Sequence, residues 1–137
     1  MDGKSSLVKV IEKFKDKFPG RFFNTGVTEE ATMLMAAGMA LSGMRPFVFS
    51  MIPFVAFRPF EMVRNGIALH NAPVILIGVK GSEKYKFLGF SHNVIKDEGK
   101  DDEDVAMFKR LPNINIIQPA TEEECSALVP AIDGIID

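Results

Sequence analysis

One short apolar run constrains the fold of this chain more than any other feature. Residues 74–79 read Val-Ile-Leu-Ile-Gly-Val, with no charged or polar side chain among them. A strand with one face in water alternates apolar and polar residues, whereas an unbroken run is typical of a strand covered on both faces. The run therefore predicts a strand of a mostly parallel sheet, because such sheets carry helices on both faces.

Helical and extended segments alternate on either side of this run. Apolar residues recur at helical spacing, and turn-forming pairs such as Pro19-Gly20 separate the segments. We expect Thr28 to cap the second helix and Pro130 to end or kink the last one. The pattern predicts strands at residues 21–24, 47–50, 74–79 and 114–118, helices at 7–18, 31–42, 60–70, 101–111 and from 121, and loops at 51–59 and 80–101.

This order predicts the α/β class, with one domain over residues 1–137 in three layers, α/β/α, around a mostly parallel sheet. Right-handed crossovers place the carboxyl ends of the strands at one edge, and ligands of open α/β sheets bind at that edge. The candidate binding loops are therefore residues 24–30, 50–58, 80–101 and 118–121.

Composition argues against several functions. The net charge is −2 and no apolar run approaches the roughly 20 residues of a membrane helix, so we expect neither nucleic acid nor a membrane as partner. The single cysteine, Cys125, cannot form an internal disulfide and indicates a reducing compartment, the cytoplasm. Glycine-rich phosphate loops are absent, and the two histidines, His70 and His92, lack the spacing of a zinc site. The acidic residues between 97 and 104 are interpreted as a solvated loop and helix start, with a metal site as the alternative.

A series of short motifs, in order along most of the chain, resembles one known family. The first reads Arg-Phe-Phe-Asn-Thr-Gly-Val-Thr-Glu at residues 21–29, and another reads Gly-Phe-Ser-His at residues 89–92. Together they are similar to the pyrimidine-binding domain of transketolase-type enzymes, which depend on thiamine diphosphate. Further matching segments lie at residues 36–43, 46–48, 60–65, 103–107, 111–113 and 118–120.

Glu29 is the first functional residue that the resemblance implies. In the family, a glutamate at this point hydrogen-bonds a ring nitrogen of the aminopyrimidine and favours its imino form, which prepares the cofactor for proton loss. That role calls for a partly desolvated carboxyl group with a raised pKa, which can share a proton near neutrality. The alternative is a plain acid in the first turn of a helix, which suits Glu30 equally well, although the spacing from Gly26 favours Glu29.

Three further side chains are implied as contacts of the cofactor. Phe54 is expected to be the aromatic platform on which the pyrimidine stacks. Met51 stands where the family often has another aromatic residue, and it still supplies a soft apolar wall. Val27 lies in the loop just before Glu29. The alternative for Phe54 and Met51 is that they fill the core.

The resemblance also implies substrate contacts. His92 matches a histidine that assists proton transfer at the donor hydroxyls, the alternative being a loop histidine without a task. Lys80 stands where the family usually has another histidine, and we expect it to bind an anionic group. Ser6 matches a loop serine near the substrate. Leu88 replaces an aspartate that reads a sugar hydroxyl, which puts ordinary sugar-phosphate specificity in question.

The resemblance accounts for half of an active site. In the family, the diphosphate and its Mg²⁺ lie on a second domain that carries a Gly-Asp-Gly motif, and this sequence has no such motif. We therefore expect a partner domain or subunit with that motif, in a homo- or hetero-oligomer such as a dimer. From the resemblance we also expect that the chain lacks the family's first strand and its C-terminal strand.

Three functions remain open. The resemblance favours transketolase-like transfer of a two-carbon ketol unit, with this chain as part of a larger chain or complex. The first alternative is a beta-type subunit of a 2-oxo acid dehydrogenase or a deoxyxylulose-phosphate-synthase-like enzyme. The second is a non-catalytic module that only binds a partner. The substrate is accordingly expected to be a small sugar or a 2-oxo acid.

Overall fold

A computed structural model describes residues 6–80, 83–96 and 98–135 of the chain. Two strands, five α-helices and several tighter or wider helical turns make up this part. The elements in order are α1 (Ser6–Lys17), a 3₁₀ turn (Pro19–Arg21), α2 (Glu29–Leu41), β1 (Phe47–Met51), a π-helical turn (Pro53–Phe57), α3 (Phe60–Met62) running on into a π-helical segment (Val63–Ala68), β2 (Ile75–Val79), a 3₁₀ segment (Glu83–Ser91), α4 (Glu103–Phe108) and α5 (Glu122–Ile135).

The two strands form a parallel pair, which confirms the α/β class that the apolar run predicts. Phe47 lies opposite Ile75, and the register continues to Met51 opposite Val79. Val48 and Leu76 point to the face that packs on the core. Phe47 and Ile77 point to the other face, where they are 56% and 41% exposed.

The core lies between α2, the π-helical turns and this sheet. Its buried centre consists of Met33, Ala37, Val55, Val63 and Ile67. Small residues let α2 approach its neighbour closely, as the alanine- and glycine-rich sequence predicts. A Cβ at Gly66 would lie 3.2 Å from the Leu34 side chain.

Two predicted strands are wrong. Residues 21–24 leave the 3₁₀ turn that Pro19 begins and continue as irregular chain, and residues 114–118 are also irregular. Phe23 is 59% exposed and Ile117 48% exposed. A strand exists only where a neighbour pairs with its backbone, and within the described ranges the two-stranded sheet includes neither segment.

The predicted loop at residues 51–59 is also wrong in its first half. Pro53 opens a helical turn there, because its ring fixes φ near the helical value and its missing N–H is not needed at a first helical position. The N–H of Arg58 donates to the Pro53 carbonyl oxygen over 3.1 Å. Phe54 and Arg58, four residues apart, are thereby brought to one side of the turn.

Helix ends follow the predictions in part. The Thr28 hydroxyl donates to the Thr25 carbonyl oxygen, so it makes no cap bond to α2. Thr121 does cap α5, since it accepts the N–H of Glu124 over 3.2 Å. Pro130 lies inside α5 and does not end it, since the helix continues to Ile135. Within the described ranges, none of the helices is both long enough and apolar enough to cross a membrane.

Candidate functional site

The carboxyl ends of β1 and β2 lie at the same edge of the sheet, because the strands are parallel. Phe54 follows β1 by one turn and Lys80 follows β2 directly. The start of α2 reaches the same edge, since the Glu29 carboxylate meets Arg58 of the π-helical turn. The predicted binding edge is therefore where three of the candidate loops come together.

An open cleft of about 510 Å³ lies at the start of α2. The turn before the helix is shaped by Gly26, whose φ of +70° lies in the left-handed region that favours glycine. The Asn24 side-chain oxygen accepts the N–H of Gly26 over 3.0 Å, which holds this turn. The cleft is lined by Val27, Thr28, Glu29, Glu30, Ala31 and Arg58.

Glu29 is paired and ionised in this chain. Its Oε1 accepts a hydrogen bond from an Arg58 guanidinium nitrogen over 2.7 Å, and the Glu29 side chain is 19% exposed. A hydrogen bond from its own backbone N–H has the largest effect and lowers the pKa of Glu29; burial opposes it, and the hydrogen bond and charge of Arg58 lower the pKa further. The expectation of a raised pKa is therefore wrong for the chain by itself, because the backbone N–H first and Arg58 second stabilise the carboxylate.

Phe54 is the point where the candidate residues meet. The guanidinium carbon of Arg58 lies 4.1 Å from the centre of the Phe54 ring. The His92 ring packs against the same phenylalanine at a centroid distance of 5.1 Å and an angle of 76°. Phe54 is half-buried and does not belong to the buried core cluster, unlike its neighbour Val55. The structure thus links Glu29 to Phe54 through Arg58, and Phe54 to His92 by direct ring contact.

Arg58 is the residue that sequence reasoning missed. The sequence pattern predicts a loop for its segment, and in a loop the spacing of four residues from Phe54 carries no information. Within a helical turn that spacing places two side chains next to each other, so Pro53 at a first helical position was the available signal.

His92 is oriented by its neighbour Ser91. The Ser91 hydroxyl lies 3.0 Å from the Leu88 carbonyl oxygen and 2.8 Å from Nδ1 of His92. Which atom donates in the contact with Nδ1 depends on the tautomer of the ring. The contact engages Nδ1, so Nε2 is the ring nitrogen that it does not use.

Lys80 already binds carboxylates of its own chain. Its Nζ lies 2.6 Å from Asp102 and 3.4 Å from Asp104. Burial lowers the pKa of Lys80, but the hydrogen bond to Asp102 and the charges of both aspartates outweigh this and hold the pKa above its ordinary value. The expectation of a solvated acidic segment is wrong for Asp104, which is only 6% exposed. Within the described ranges, no three His, Cys, Asp or Glu side chains are grouped to hold a metal ion.

The remaining predicted site residues lie at the margin. Met51 ends β1 and is half-buried, while Val27 lines the cleft with 85% of its surface exposed. Ser6 is the first residue of α1, but its side chain lies outside the described part of the structure.

Comparison with known proteins gives a single family. Residues 2–132 match the family model described as the transketolase, pyrimidine binding domain. A 1-deoxy-D-xylulose-5-phosphate synthase of Methylacidiphilum infernorum is 29% identical over 123 residues, which cover 87% of this chain and 18% of that protein. An apulose-4-phosphate transketolase subunit of Actinobacillus succinogenes is 29% identical over 125 residues, 91% of this chain and 38% of that subunit.

A transketolase family protein of Sinorhizobium fredii is 32% identical over 122 residues, which cover 89% of this chain and 33% of that protein. The chain therefore spans less than two-fifths of the length of each of these relatives. The match of the family model over nearly the whole sequence agrees with the parallel strand pair and with the residues gathered at its edge. The chain belongs to the transketolase family, as a pyrimidine-binding domain.

Proposed function

We propose that this chain supplies the pyrimidine-binding half of a thiamine-diphosphate site in an enzyme that transfers a two-carbon ketol unit. One observation carries the proposal. A planar N–H donor, the guanidinium of Arg58, lies within 2.7 Å of the Glu29 carboxylate and 4.1 Å of the Phe54 ring centre. An aminopyrimidine ring is also planar and also carries N–H groups, so the residues present fit that part of the cofactor.

The proposal gives a distinct role to each of four residues of this chain. Glu29 accepts a hydrogen bond from the ring, and Phe54 orients the ring by stacking. His92 accepts a hydroxyl proton of the donor substrate at Nε2, and Ser91 orients the ring through its contact with Nδ1. When bound, thiamine diphosphate supplies the nucleophilic carbon that attacks a carbonyl group.

Two classes of donor substrate, a ketose phosphate and pyruvate, are supported by the relatives and by the Gly-Phe-Ser-His motif. One relative is named as a transketolase subunit, which supports a ketose phosphate as donor. Others are named as 1-deoxy-D-xylulose-5-phosphate synthases, which supports pyruvate as donor and is the second candidate function. Lys80 does not decide between them, because its charge is already balanced by Asp102 and Asp104. A beta-type 2-oxo acid dehydrogenase subunit and a non-catalytic module complete the candidate functions.

The partner and the setting are also part of the proposal. The diphosphate and Mg²⁺ would lie on a second domain or subunit with a Gly-Asp-Gly motif, which this sequence lacks. The apulose-4-phosphate transketolase relative is itself named as a subunit, which supports a separate partner in an oligomer. A reducing compartment, the cytoplasm, is supported by Cys125, which is the single cysteine and is exposed.

The test compares two neighbouring glutamates that line the same cleft. Thiamine diphosphate with Mg²⁺ is titrated calorimetrically into the chain mixed with a subunit that carries a Gly-Asp-Gly motif. We expect Glu29→Gln to weaken binding at least about tenfold, because it removes a charge-assisted hydrogen bond, while Glu30→Gln leaves it within about twofold. Equal affinities for Glu29→Gln and the unsubstituted chain, or binding to neither, would reject the proposal.

A further inference from the structure

We propose that Arg58 is a built-in competitor for the pyrimidine site, which must turn away before the ring binds and which therefore sets the affinity of the site. This inference rests on the proposed function. It concerns a residue that the sequence motifs did not single out, and its basis is the set of contacts that Arg58 makes within the chain.

Arg58 occupies the place that the proposed function gives to the ring. Its guanidinium makes the two contacts expected of the ring, with the Glu29 carboxylate at 2.7 Å and with the Phe54 face at 4.1 Å. His92 packs against the same phenylalanine at 5.1 Å. Two planar groups cannot share one stacking position on one ring face. A pyrimidine that stacks where the guanidinium lies must displace it.

The guanidinium is also chemically similar to the ring. A guanidinium is planar, delocalised and rich in N–H donors, and it stacks on aromatic faces as well as pairing with carboxylates. It therefore resembles an aminopyrimidine in the features that Glu29 and Phe54 recognise. A lysine in its place would keep the charge, but it would lose the planar stack.

Arg58 is also able to leave this place. Its side chain is 44% exposed, so the guanidinium can exchange both contacts for water without opening the core. An exposed ion pair and an exposed cation–π contact are each weak, and together they reduce ligand affinity by about three- to thirtyfold. The departure of Arg58 also removes one of the groups that keep Glu29 ionised, which makes it easier for that carboxyl group to share a proton with a ring.

The experiment measures binding of 4-amino-2-methylpyrimidine, a probe that needs only this half of the site, by NMR titration of the labelled chain. We expect Arg58→Ala to bind the probe about three- to thirtyfold more tightly than the unsubstituted chain. Arg58→Lys should fall between the two. Arg110→Ala removes an exposed arginine outside the cleft lining and should bind like the unsubstituted chain.

Unchanged or weaker binding by Arg58→Ala would overturn the inference and leave the proposed function standing, since Arg58 would then help to hold the ring. Binding by none of the variants would overturn the proposed function and this inference with it. A second measurement needs no ligand. In a ¹³C NMR titration, we expect the pKa of Glu29 to be higher in Arg58→Ala than in the unsubstituted chain. An unchanged pKa would mean that Arg58 does not hold this carboxylate.

Discussion

Glu29 and Arg58 show how one contact can define a site and also restrain it. The carboxylate is held by its own backbone N–H and by a cation 29 positions further along the chain. Both groups stabilise the ionised form, whereas the proposed role requires the carboxyl group to share a proton. If Arg58 competes with the ring as proposed, the displacement of this one side chain frees Glu29 for that role.

The lowered pKa of Glu29 leads to a prediction for stability. A carboxyl group whose pKa is lower in the folded state stabilises that state at pH values above its ordinary pKa of 4.5. This contribution is lost as the pH falls through the folded-state pKa. We expect Glu29→Gln to lower the free energy of unfolding by about 0.2–1 kcal/mol at pH 7, because the pair is partly exposed. The difference should shrink as the pH falls below 4.5, as measured by denaturant unfolding.

The control for this prediction is the same comparison in an Arg58→Ala background. There the pH-dependent difference should be smaller, because only the hydrogen bond from the Glu29 backbone remains. A difference between the unsubstituted chain and Glu29→Gln that grows on acidification would contradict the assignment.

At the scale of single residues, motif spacing selects candidates whose roles stay predictions. Gly26 and the family motif point to Glu29 rather than Glu30, Glu29 lines the cleft, and the Phe54 and His92 rings are in contact. The pKa of Glu29 cannot be predicted in the same way. The backbone hydrogen bond that lowers it most, and the approach of Arg58 that lowers it further, become visible only when the structure of the α2 start and of the π-helical turn is known.

Among the elements, β2 packs closely against Ile52, the residue just before the π-helical turn. Gly78 in β2 lies directly beneath the Ile52 side chain, so that a Cβ on Gly78 would collide with Ile52. This close approach brings the turn that carries Phe54 and Arg58 against the end of the sheet. Gly78 therefore helps to position this turn, although it does not line the cleft at the start of α2.

A matched pair of glycine substitutions tests this packing. Gly78→Ala should lower the free energy of unfolding by about 1–3 kcal/mol, because Ile52 must shift. Gly38→Ala, within α2 and with nothing near its Cβ position, should instead raise it by about 0.5–1 kcal/mol through helix propensity. Thermal or urea unfolding measures both, and a destabilisation of equal size in the two variants would mean that close packing at Gly78 is not the cause.

Helices and strands are predicted correctly where the spacing of apolar residues fits only one type of element. The periodic helices and the two strands at residues 47–50 and 74–79 are present nearly as expected. Residues 21–24 and 114–118 carry the apolar character of strands, but pairing is a property of two segments, and neither belongs to the sheet in the described part of the structure. The helical turn after Met51 is not predicted, because a segment rich in Pro and Phe is as typical of a loop as of a helical turn.

For the molecule as a whole, the parallel register brings the candidate residues Phe54 and Lys80 to the carboxyl edge of the two strands. The apolar run at residues 74–79 implies a parallel partner, and the shared edge of such strands is where α/β proteins bind ligands. Relatives that are two to five times longer contain this domain as one part, so a site built from two domains agrees with the comparisons. In the proposed function, this chain contributes the carboxylate, the aromatic face and the histidine.

The most direct test of this account is to locate an aminopyrimidine on the unsubstituted chain. Intermolecular NOEs are recorded between the 2-methyl protons of saturating 4-amino-2-methylpyrimidine and the phenylalanine rings, with Phe54→Leu as the assignment control. The account predicts NOEs to Phe54 that disappear in Phe54→Leu. NOEs confined to highly exposed rings such as Phe87 and Phe90, or none at saturation, would contradict a pyrimidine site between Glu29 and Phe54.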